Sequence, residues 1–322
     1  MRKKIVMFTV GTMVMASMMF GCGSNTDLKT TEVEESASVE ESVEDDHTEG
    51  KTKQPEIVQT SNKAPEIEDV SDTEKNIFFY RDDLKIFGKL HLPDGEGPFP
   101  LVILAHGSGG FYTVTEDYAR NLAKEGIAGL SFDYIGTEKG SKSDGLIIEN
   151  SVLTQAADIE AILDSLDALS YIDQKHVFLW GHSMGGLAST YVATQRPDSI
   201  QGLIALEPSY QMRDQITEQF GNPDELPDVI YEPLYCGKCF VTDALSFDIY
   251  EGMPDYHNDV LIIEGTVAPS IGAEGKAYLD RAEETFPSAK QVAVEGANHL
   301  FSGDAAVEMQ ELMIRFVKEH LE

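Results

Sequence analysis

Between residue 76 and the C-terminus, the apolar positions change repeatedly from strand-like runs to helix-like stripes. Residues 76–80 and 85–92 have the pattern of two short strands of a hairpin. The continuous apolar run 101–105 is typical of a strand that is buried on both faces of a parallel sheet. Residues 152–169 instead carry apolar side chains at helical spacing, which predicts a long amphipathic helix.

The alternation continues to the end of the chain and predicts an α/β fold with a doubly wound, mostly parallel β-sheet. Further strands are predicted at 127–132, 176–180, 202–206, 260–264 and 291–294, and further helices at 116–124, 185–194, 275–285 and 305–320. A stretch from about 208 to 257, rich in Pro, Tyr and Asp, interrupts the pattern. Long irregular stretches are usually functional insertions, and we predict here a small cap over the sheet of a domain spanning 76–322.

The first 21 residues have the composition of an export signal. A basic start at Arg2, Lys3 and Lys4 precedes a short uncharged run that ends at Gly21-Cys22. Residues 19–22 resemble the cleavage box of bacterial lipoprotein signal peptides, with Met and Phe where Leu and a smaller residue are usual. The resemblance implies cleavage before Cys22, a diacylglycerol on its sulfur, and anchoring on the extracytoplasmic side of a bacterial cell membrane. An uncleaved or ordinary secretory signal is the alternative.

Residues 22–75 form a polar block of Glu, Ser, Thr, Asp and Lys without a period. Such a segment buries too little apolar surface to offset the entropy of ordering it, so we predict a disordered acidic tether. The whole chain has 322 residues and a formal net charge of −32 at pH 7. This charge argues against nucleic acid as a partner, because nucleic-acid binding requires cations for the phosphates.

The strongest chemical motif is Gly181-His182-Ser183-Met184-Gly185, which lies between a predicted strand and a predicted helix. In this context G-x-S-x-G is typical of a nucleophile on a sharp strand-to-helix turn. The turn exposes the hydroxyl of Ser183 at the positive end of the helix. An ordinary glycine-rich turn is the alternative.

Two further motifs complete a hydrolytic site. The glycine-rich loop 106–110 follows a predicted strand, and its Ser108 amide together with that of Met184 would form an oxyanion hole. His299 follows the last predicted strand, where a general base is expected, and His106 is interpreted as a structural loop residue. This chemistry requires no metal and no organic cofactor.

These motifs, in this order, resemble the α/β-hydrolase superfamily over nearly all of 76–322. Residues 240–251, 261–266 and 301–303 are similar to the corresponding parts of bacterial cinnamoyl and feruloyl esterase-like hydrolases. The resemblance implies a serine carboxylic-ester hydrolase that forms an acyl-enzyme on Ser183. Its substrates would be aryl or short acyl esters, small or linked to polysaccharide, with feruloyl and cinnamoyl groups possible.

The triad acid departs from the pattern of these relatives. Their acid usually lies three residues after the glycine of a Gly-Thr turn, and Ala268 occupies that position here. Glu207, in Leu206-Glu207-Pro208, has the sequence context that some lipases of the superfamily use for their acid, and it is our first candidate. The alternatives are Glu264, an acid of the insertion such as Asp243 or Asp248, and no acid at all.

Several interpretations stay open. A serine peptidase or lipase has the same scaffold, and Ala268 leaves room for a surface-tethered binding protein that has lost catalysis. Cys236 and Cys239 have three possible states: an oxidised loop staple, two unpaired thiols or a redox pair. Some aromatic residues would either line a pocket or pack within the cap, namely Phe111, Tyr112, Tyr210, Tyr231 and Tyr235.

Overall fold

The computed structural model describes residues 63–137, 140–267 and 272–321. The predicted signal peptide (1–21), the predicted lipidation site Cys22, residues 23–62 of the predicted tether, and Ala268 lie outside the described residues. Within the described part of the chain, no helix is long and apolar enough to span a bilayer.

The described strands form one large sheet and one small hairpin. The strands are β1 (Glu66–Asp69), β2 (Glu74–Arg81), β3 (Leu84–His91), β4 (Phe99–Ala105), β5 (Ala128–Phe132), β6 (Ile172–His182), β7 (Gly202–Leu206), β8 (Val229–Ile230), β9 (Cys236–Gly237), β10 (Asp259–Gly265) and β11 (Ala289–Val294). The nine-stranded sheet of the described residues has the order β1-β2-β3-β5-β4-β6-β7-β10-β11, and β8 pairs with β9.

The strand directions confirm the predicted fold class. Strands β5, β4, β6, β7, β10 and β11 are parallel neighbours, whereas β1, β2 and β3 join them through antiparallel pairing. All residues of β5 and β7 are buried, as expected for strands covered on both faces. The carboxyl ends of the parallel strands therefore meet at one edge of the sheet, where the sequence motifs lie.

Helices cover both faces of the sheet. They are α1 (Glu116–Lys124), α2 (Val152–Asp164), α3 (Met184–Gln195), α4 (Met212–Phe220), α5 (Lys238–Leu245), α6 (Ile249–Gly252), α7 (Gly272–Thr285) and α8 (Asp304–Glu319). Buried residues of α1 and α8 share one apolar core with alternate sheet positions such as Trp180 and Ile204. The opposite face of the sheet packs on α2, α3 and α7 through positions such as Leu179 and Leu203. Consecutive strand residues therefore point to opposite faces, as the geometry of a strand requires.

The domain begins earlier than residue 76, so the predicted boundary of the tether needs correction. Strand β1 pairs antiparallel with β2, with Ile67 opposite Ile77. All four residues of β1 are exposed, and three of them are acidic. Hydrogen bonds between backbones therefore attach this edge strand, and it leaves no hydrophobic pattern in the sequence. Its charges also protect the open edge of the sheet from further pairing.

The insertion at 208–257 contains more regular structure than its sequence indicates. It holds α4, α5, α6 and the β8-β9 hairpin, whose strands have two residues each. Elements this short do not show a period in the sequence. Phe240, Val241 and Ala244 of α5 are buried, and α5 contacts both α2 and α4.

Candidate active site

Ser183 occupies a strained turn between β6 and α3. Its backbone angles are φ 55° and ψ −121°, a left-handed conformation that is unfavourable for a residue with a side chain. Its N–H donates to the Leu206 carbonyl at 3.0 Å, and its carbonyl accepts from the Leu187 amide at 3.1 Å. A Cβ on Gly181 would lie 2.3 Å from the Gly185 carbonyl oxygen, so the tight turn requires glycine there. This geometry is that of the turn predicted from the motif.

The side chain of Glu207 lies against His299. Glu207 follows β7 directly, has φ 40°, and is only 1% exposed. Its Oε1 accepts from the Gly265 amide at 2.8 Å, and its Oε2 lies 2.5 Å from His299 Nδ1. Because a carboxylate oxygen accepts, Nδ1 of His299 carries the proton in this contact. The Nε2 atom of His299 is then left with its lone pair, the form that a general base requires.

The other candidate acids have different neighbours. Asp243 accepts a hydrogen bond at 2.5 Å from the hydroxyl at the N-cap of α2. Asp248 caps α6, and Glu264 lies 3.6 Å from the ammonium group of a lysine in α7. Of these described carboxylates, Glu207 is the one that the fold brings to His299.

His182, which precedes Ser183, contacts the loop that carries His299. Its Nε2 donates to the backbone carbonyl of His299 at 2.7 Å, and the two imidazole rings lie 4.7 Å apart. Desolvation, together with the neighbouring His299, lowers the pKa of His182 to about 3, so the ring is neutral at physiological pH. The sequence did not reveal this contact, although the position of His182 beside Ser183 in the motif was a signal for it.

The glycine-rich loop after β4 lies beside Ser183. A Cβ on Gly107 would stand 3.1 Å from the Cβ of Ser183, which shows how closely the loop approaches. The Ser108 hydroxyl donates to the sulfur of Met184 at 3.2 Å, so the loop also contacts the first turn of α3. The amide of Met184, at the start of a helix, has no intrahelical acceptor. Neither it nor the Ser108 amide donates to another residue of the described chain.

The hydroxyl of Ser183 lies 3.3 Å from that of Ser209. The Ser209 amide also donates to the Ser183 carbonyl at 3.0 Å, so the segment after Glu207 is attached to the turn of Ser183. Ser209 is therefore a second neighbour of Ser183 that the sequence did not reveal.

A cleft of about 470 Å³, its open mouth included, begins at the glycine-rich loop. The loop and Met184 form one wall, and the segment between β5 and α2, Gln155 of α2 and residues of the insertion form the others. The cleft is lined by His106, Gly107, Ser108, Gly109, Gly136, Thr137, Ile147, Asn150, Gln155, Met184, Leu234, Tyr235, Cys236 and Phe240. The insertion thus covers part of the site, as the predicted cap would.

The aromatic candidates separate in the structure. Tyr235 lines the cleft, and Tyr231 lies beside it with ring centroids 5.6 Å apart. Tyr210 is buried elsewhere, where its hydroxyl lies 2.8 Å from that of Thr190. Phe111 and Tyr112 also lie outside the cleft lining, and Tyr112 packs against Phe87.

Cys236 and Cys239 are free thiols, which differs from the oxidised staple expected first. The Cys239 thiol donates to the Ile148 carbonyl at 3.3 Å. Burial raises the pKa of Cys236 to about 11 and also raises the pKa of Cys239. Such thiols stay protonated at neutral pH and are poor nucleophiles.

A family model described as serine aminopeptidase, S33 (Hydrolase_4) matches residues 96–292, more than half of the chain. The chain belongs to this family. Solved structures agree on the α/β-hydrolase fold. One of them is Est1E from Butyrivibrio proteoclasticus, solved with bound ferulic acid. The match covers 76% of this hydrolase and 98% of the Est1E chain, with 22% identity and a TM-score of 0.67. The match to a monoacylglycerol lipase from Paleococcus ferrophilus covers 74% of this hydrolase and 99% of the lipase chain, with 22% identity and a TM-score of 0.55.

Curated relatives match this hydrolase over shorter stretches. The esterase EstD of Thermotoga maritima is 27% identical over 139 residues, which cover 41% of this chain and 32% of EstD. The quorum-quenching protein AidA of Acinetobacter baumannii is 32% identical over 114 residues, which cover 34% of this chain and 36% of AidA. The hydrolase thus spans about a third of the length of these relatives.

Proposed function

We propose that this hydrolase is a serine carboxylic-ester hydrolase that works through an acyl-enzyme on Ser183. The observation that carries the proposal is the contact of Glu207 with Nδ1 of His299, 2.5 Å long, beside the strained turn of Ser183. A buried carboxylate, an imidazole and a serine on a strand-to-helix turn are the parts of a catalytic triad.

Acylation begins when Ser183 Oγ moves from Ser209 to attack the ester carbonyl carbon. Nε2 of His299 takes the hydroxyl proton, and Glu207 stabilises the imidazolium that forms. The amides of Ser108 and Met184 stabilise the negative charge on the former carbonyl oxygen. In a comparable enzyme, one such donor stabilises the transition state by roughly 3–4 kcal/mol. His299 then gives its proton to the leaving alcohol as the carbon–oxygen bond breaks.

Deacylation repeats the same steps with water as the nucleophile. His299 takes a proton from the water, the hydroxide attacks the acyl carbon, and the proton returns to Ser183 as the free acid leaves. His182 acts on this cycle through its hydrogen bond to the His299 carbonyl, which fixes the position of the loop that carries the base.

The proposed substrates are aryl or short acyl esters, with feruloyl or cinnamoyl groups attached to plant polysaccharide as one possibility. Support comes from the partial match to the esterase EstD, from the fold shared with Est1E, and from the cleft, whose wall includes Tyr235, Leu234 and Phe240. The family description favours a second candidate, hydrolysis of peptide bonds by the same residues.

We also propose that the hydrolase is tethered to the cell surface through a lipid on Cys22. The resemblance of residues 19–22 to a lipoprotein cleavage box supports this proposal, and so does the acidic, polar composition of the residues after Cys22. A tethered hydrolase would meet extracellular esters before their products enter the cell. Globomycin, which blocks processing of such lipoproteins, should cause the unprocessed form to accumulate, and a Cys22→Ala variant should not incorporate labelled palmitate.

The proposed reaction is tested with the full chain and p-nitrophenyl butyrate. We expect Ser183→Ala to abolish both hydrolysis and labelling by a fluorophosphonate. Ser189→Ala is the matched control, because Ser189 is a fully buried serine of α3 with no role in the mechanism. Cleavage of amino-acid p-nitroanilides without ester cleavage would favour the peptidase. A folded wild type that neither turns over nor reacts with the probe would favour a binding protein.

A further inference from the structure

Two residues that line the cleft each have a buried acceptor atom without a hydrogen-bond partner within the described chain. These atoms are Oε1 of Gln155 and Nε2 of His106. Gln155 is 2% exposed and His106 is 1% exposed, and both line the cleft that begins at the glycine-rich loop. Nearly all buried polar atoms in proteins are paired, so two unpaired acceptors in one cleft require an explanation.

The orientation of the Gln155 amide follows from its neighbours. Its Nε2 donates to Oδ1 of Asn150 at 2.9 Å, and Nδ2 of Asn150 donates to the Ile135 carbonyl at 2.8 Å. If the Gln155 amide were turned over, its oxygen would face the oxygen of Asn150, and two acceptors would oppose each other. The hydrogen-bond chain from Ile135 therefore fixes Oε1 as the unpaired atom.

The tautomer of His106 follows in the same way. Its Nδ1 lies 2.8 Å from the Gly107 carbonyl, which can only accept, so Nδ1 carries the proton. Burial lowers the pKa of His106, which keeps the ring neutral. Nε2 is consequently a lone-pair acceptor. The ring also packs edge-on against Tyr134, with centroids 4.8 Å apart, which limits its movement.

We propose that this cleft binds the acyl group of the substrate and selects acyl groups that carry a hydroxyl, with Gln155 Oε1 as its principal acceptor and His106 Nε2 as a second one. The inference rests on the proposed ester hydrolysis. It narrows the proposed aryl or short acyl esters to those whose acyl group carries a hydroxyl, and it names the residue that sets the preference.

The assignment of the cleft to the acyl side follows from the mechanism. The leaving alcohol receives its proton from His299, so the alcohol lies on the side of His299. None of the residues that line the cleft comes from the segment 295–303 around His299, whereas Ser108 and Met184 of the proposed oxyanion hole both line it. The cleft therefore continues from the carbonyl carbon away from the base, where the acyl group lies.

Entry of the acyl group must involve the insertion. Both acceptors are covered in the structure, and Leu234, Cys236 and Phe240 of the insertion line the same cleft. Sites that hydrogen-bond a substrate hydroxyl discriminate strongly against analogues that lack it, because the buried acceptor then stays unpaired. The expected preference is therefore large enough to measure.

The test compares matched esters with the full-length wild type. The panel is methyl cinnamate with its 2-, 3- and 4-hydroxy derivatives, and methyl butyrate with methyl 3-hydroxybutyrate. We expect at least one hydroxylated ester to exceed its parent in kcat/KM by about tenfold or more. In Gln155→Met that ratio should fall towards one. Gln155→Asn, which withdraws the amide by one methylene group, should lower the ratio as well if the methionine variant fails to fold.

Gln291→Met is the matched control. Its Oε1 is also buried and unpaired, but Gln291 lies in β11 and is not part of the cleft, so the ratio should stay at the wild-type value. A wild type that shows no preference for any hydroxylated ester would overturn the inference. So would a preference that survives both substitutions at Gln155.

Failure of this inference is distinguishable from failure of the proposed function. If ester hydrolysis depends on Ser183 but kcat/KM is the same for hydroxylated and parent esters, the proposed function stands and only the hydroxyl site is excluded. If no ester is hydrolysed, calorimetric titration with 4-hydroxycinnamic acid and cinnamic acid still measures the same preference. Equal binding of the two acids by wild type would then exclude the site.

Discussion

Replacing Glu207 by glutamine tests the proposed triad with a minimal change in shape. In the wild type, Oε1 accepts from the Gly265 amide and Oε2 accepts from His299 Nδ1. The amide oxygen of the variant will keep the bond to Gly265, because an NH₂ group there would oppose a backbone N–H. The NH₂ group must then face His299, and Nδ1 of His299 has to accept rather than donate.

The expected loss of activity follows from this reversal. With Nδ1 as an acceptor, the neutral imidazole carries its proton on Nε2, which therefore cannot take the proton of Ser183. The corresponding acid-to-amide change in a trypsin-like triad lowers kcat by about 10⁴, which is equivalent to roughly 5.5 kcal/mol of transition-state stabilisation. We expect a decrease in kcat of about 10³ to 10⁴ in Glu207→Gln, with KM changed little because the substrate does not contact Glu207.

The assay is steady-state hydrolysis of p-nitrophenyl butyrate, with circular dichroism and thermal melts to verify folding. Glu264→Gln is the matched control: Glu264 is the penultimate residue of the neighbouring strand β10 and lies near a lysine rather than His299. Its kcat should stay within about twofold of the wild type, because single partly exposed ion pairs contribute little. If folded Glu207→Gln keeps more than a tenth of the wild-type kcat, or if Glu264→Gln loses as much, the assignment of the acid is wrong.

Two further predictions concern the turn of the nucleophile. Desolvation lowers the pKa of His182 from 6.5 to about 3 in the folded protein. Below about pH 6.5 the unfolded state therefore binds a proton that the folded state does not, and the free energy of unfolding falls by up to ~1.4 kcal/mol per pH unit. The Tm of His182→Asn should therefore fall less than that of wild type between about pH 6.5 and pH 5, and identical slopes in calorimetry would contradict this. Gly181→Ala places a Cβ 2.3 Å from the Gly185 carbonyl oxygen and should cost at least ~2 kcal/mol in unfolding free energy, measured by urea titration, together with most of the esterase activity. An unchanged urea midpoint would show that the turn can relax.

The sequence could predict the sheet because its central strands are buried on both faces. A run such as 202–206 matches the observed β7 at both ends. Strand β1 could not be predicted, since backbone hydrogen bonds attach it and its side chains stay in water. The helices of the insertion were missed for a related reason: they are short, and they pack on other helices such as α2 and α3 instead of the sheet.

The candidate site divides in the same way. Ser183 and His299 are marked by local motifs, since the turn of the nucleophile needs particular neighbours in sequence. The partner of His299 depends on which strand ends are adjacent, so the local context Leu206-Glu207-Pro208 could only rank Glu207 ahead of the other carboxylates. Glu207 and His299 are 92 positions apart, and His182 and His299 are 117 apart. Such contacts become visible only when the order of strands in the sheet is known.

The strand order also explains how a carboxylate on β7 can replace one after β10. Strand β7 lies between β6 and β10, with Leu206 opposite both His182 and Ile263. The amide of Ser183 donates to Leu206, and the amide of Glu207 donates to Ile263, so backbone hydrogen bonds join all three strand ends. The Gly265 amide, where β10 ends, then donates to the Glu207 side chain. The end of β7 thus positions both Ser183 and the proposed acid Glu207, which follows it directly. The loop after β10 need not supply a carboxylate, which removes the main argument for a protein that has lost catalysis.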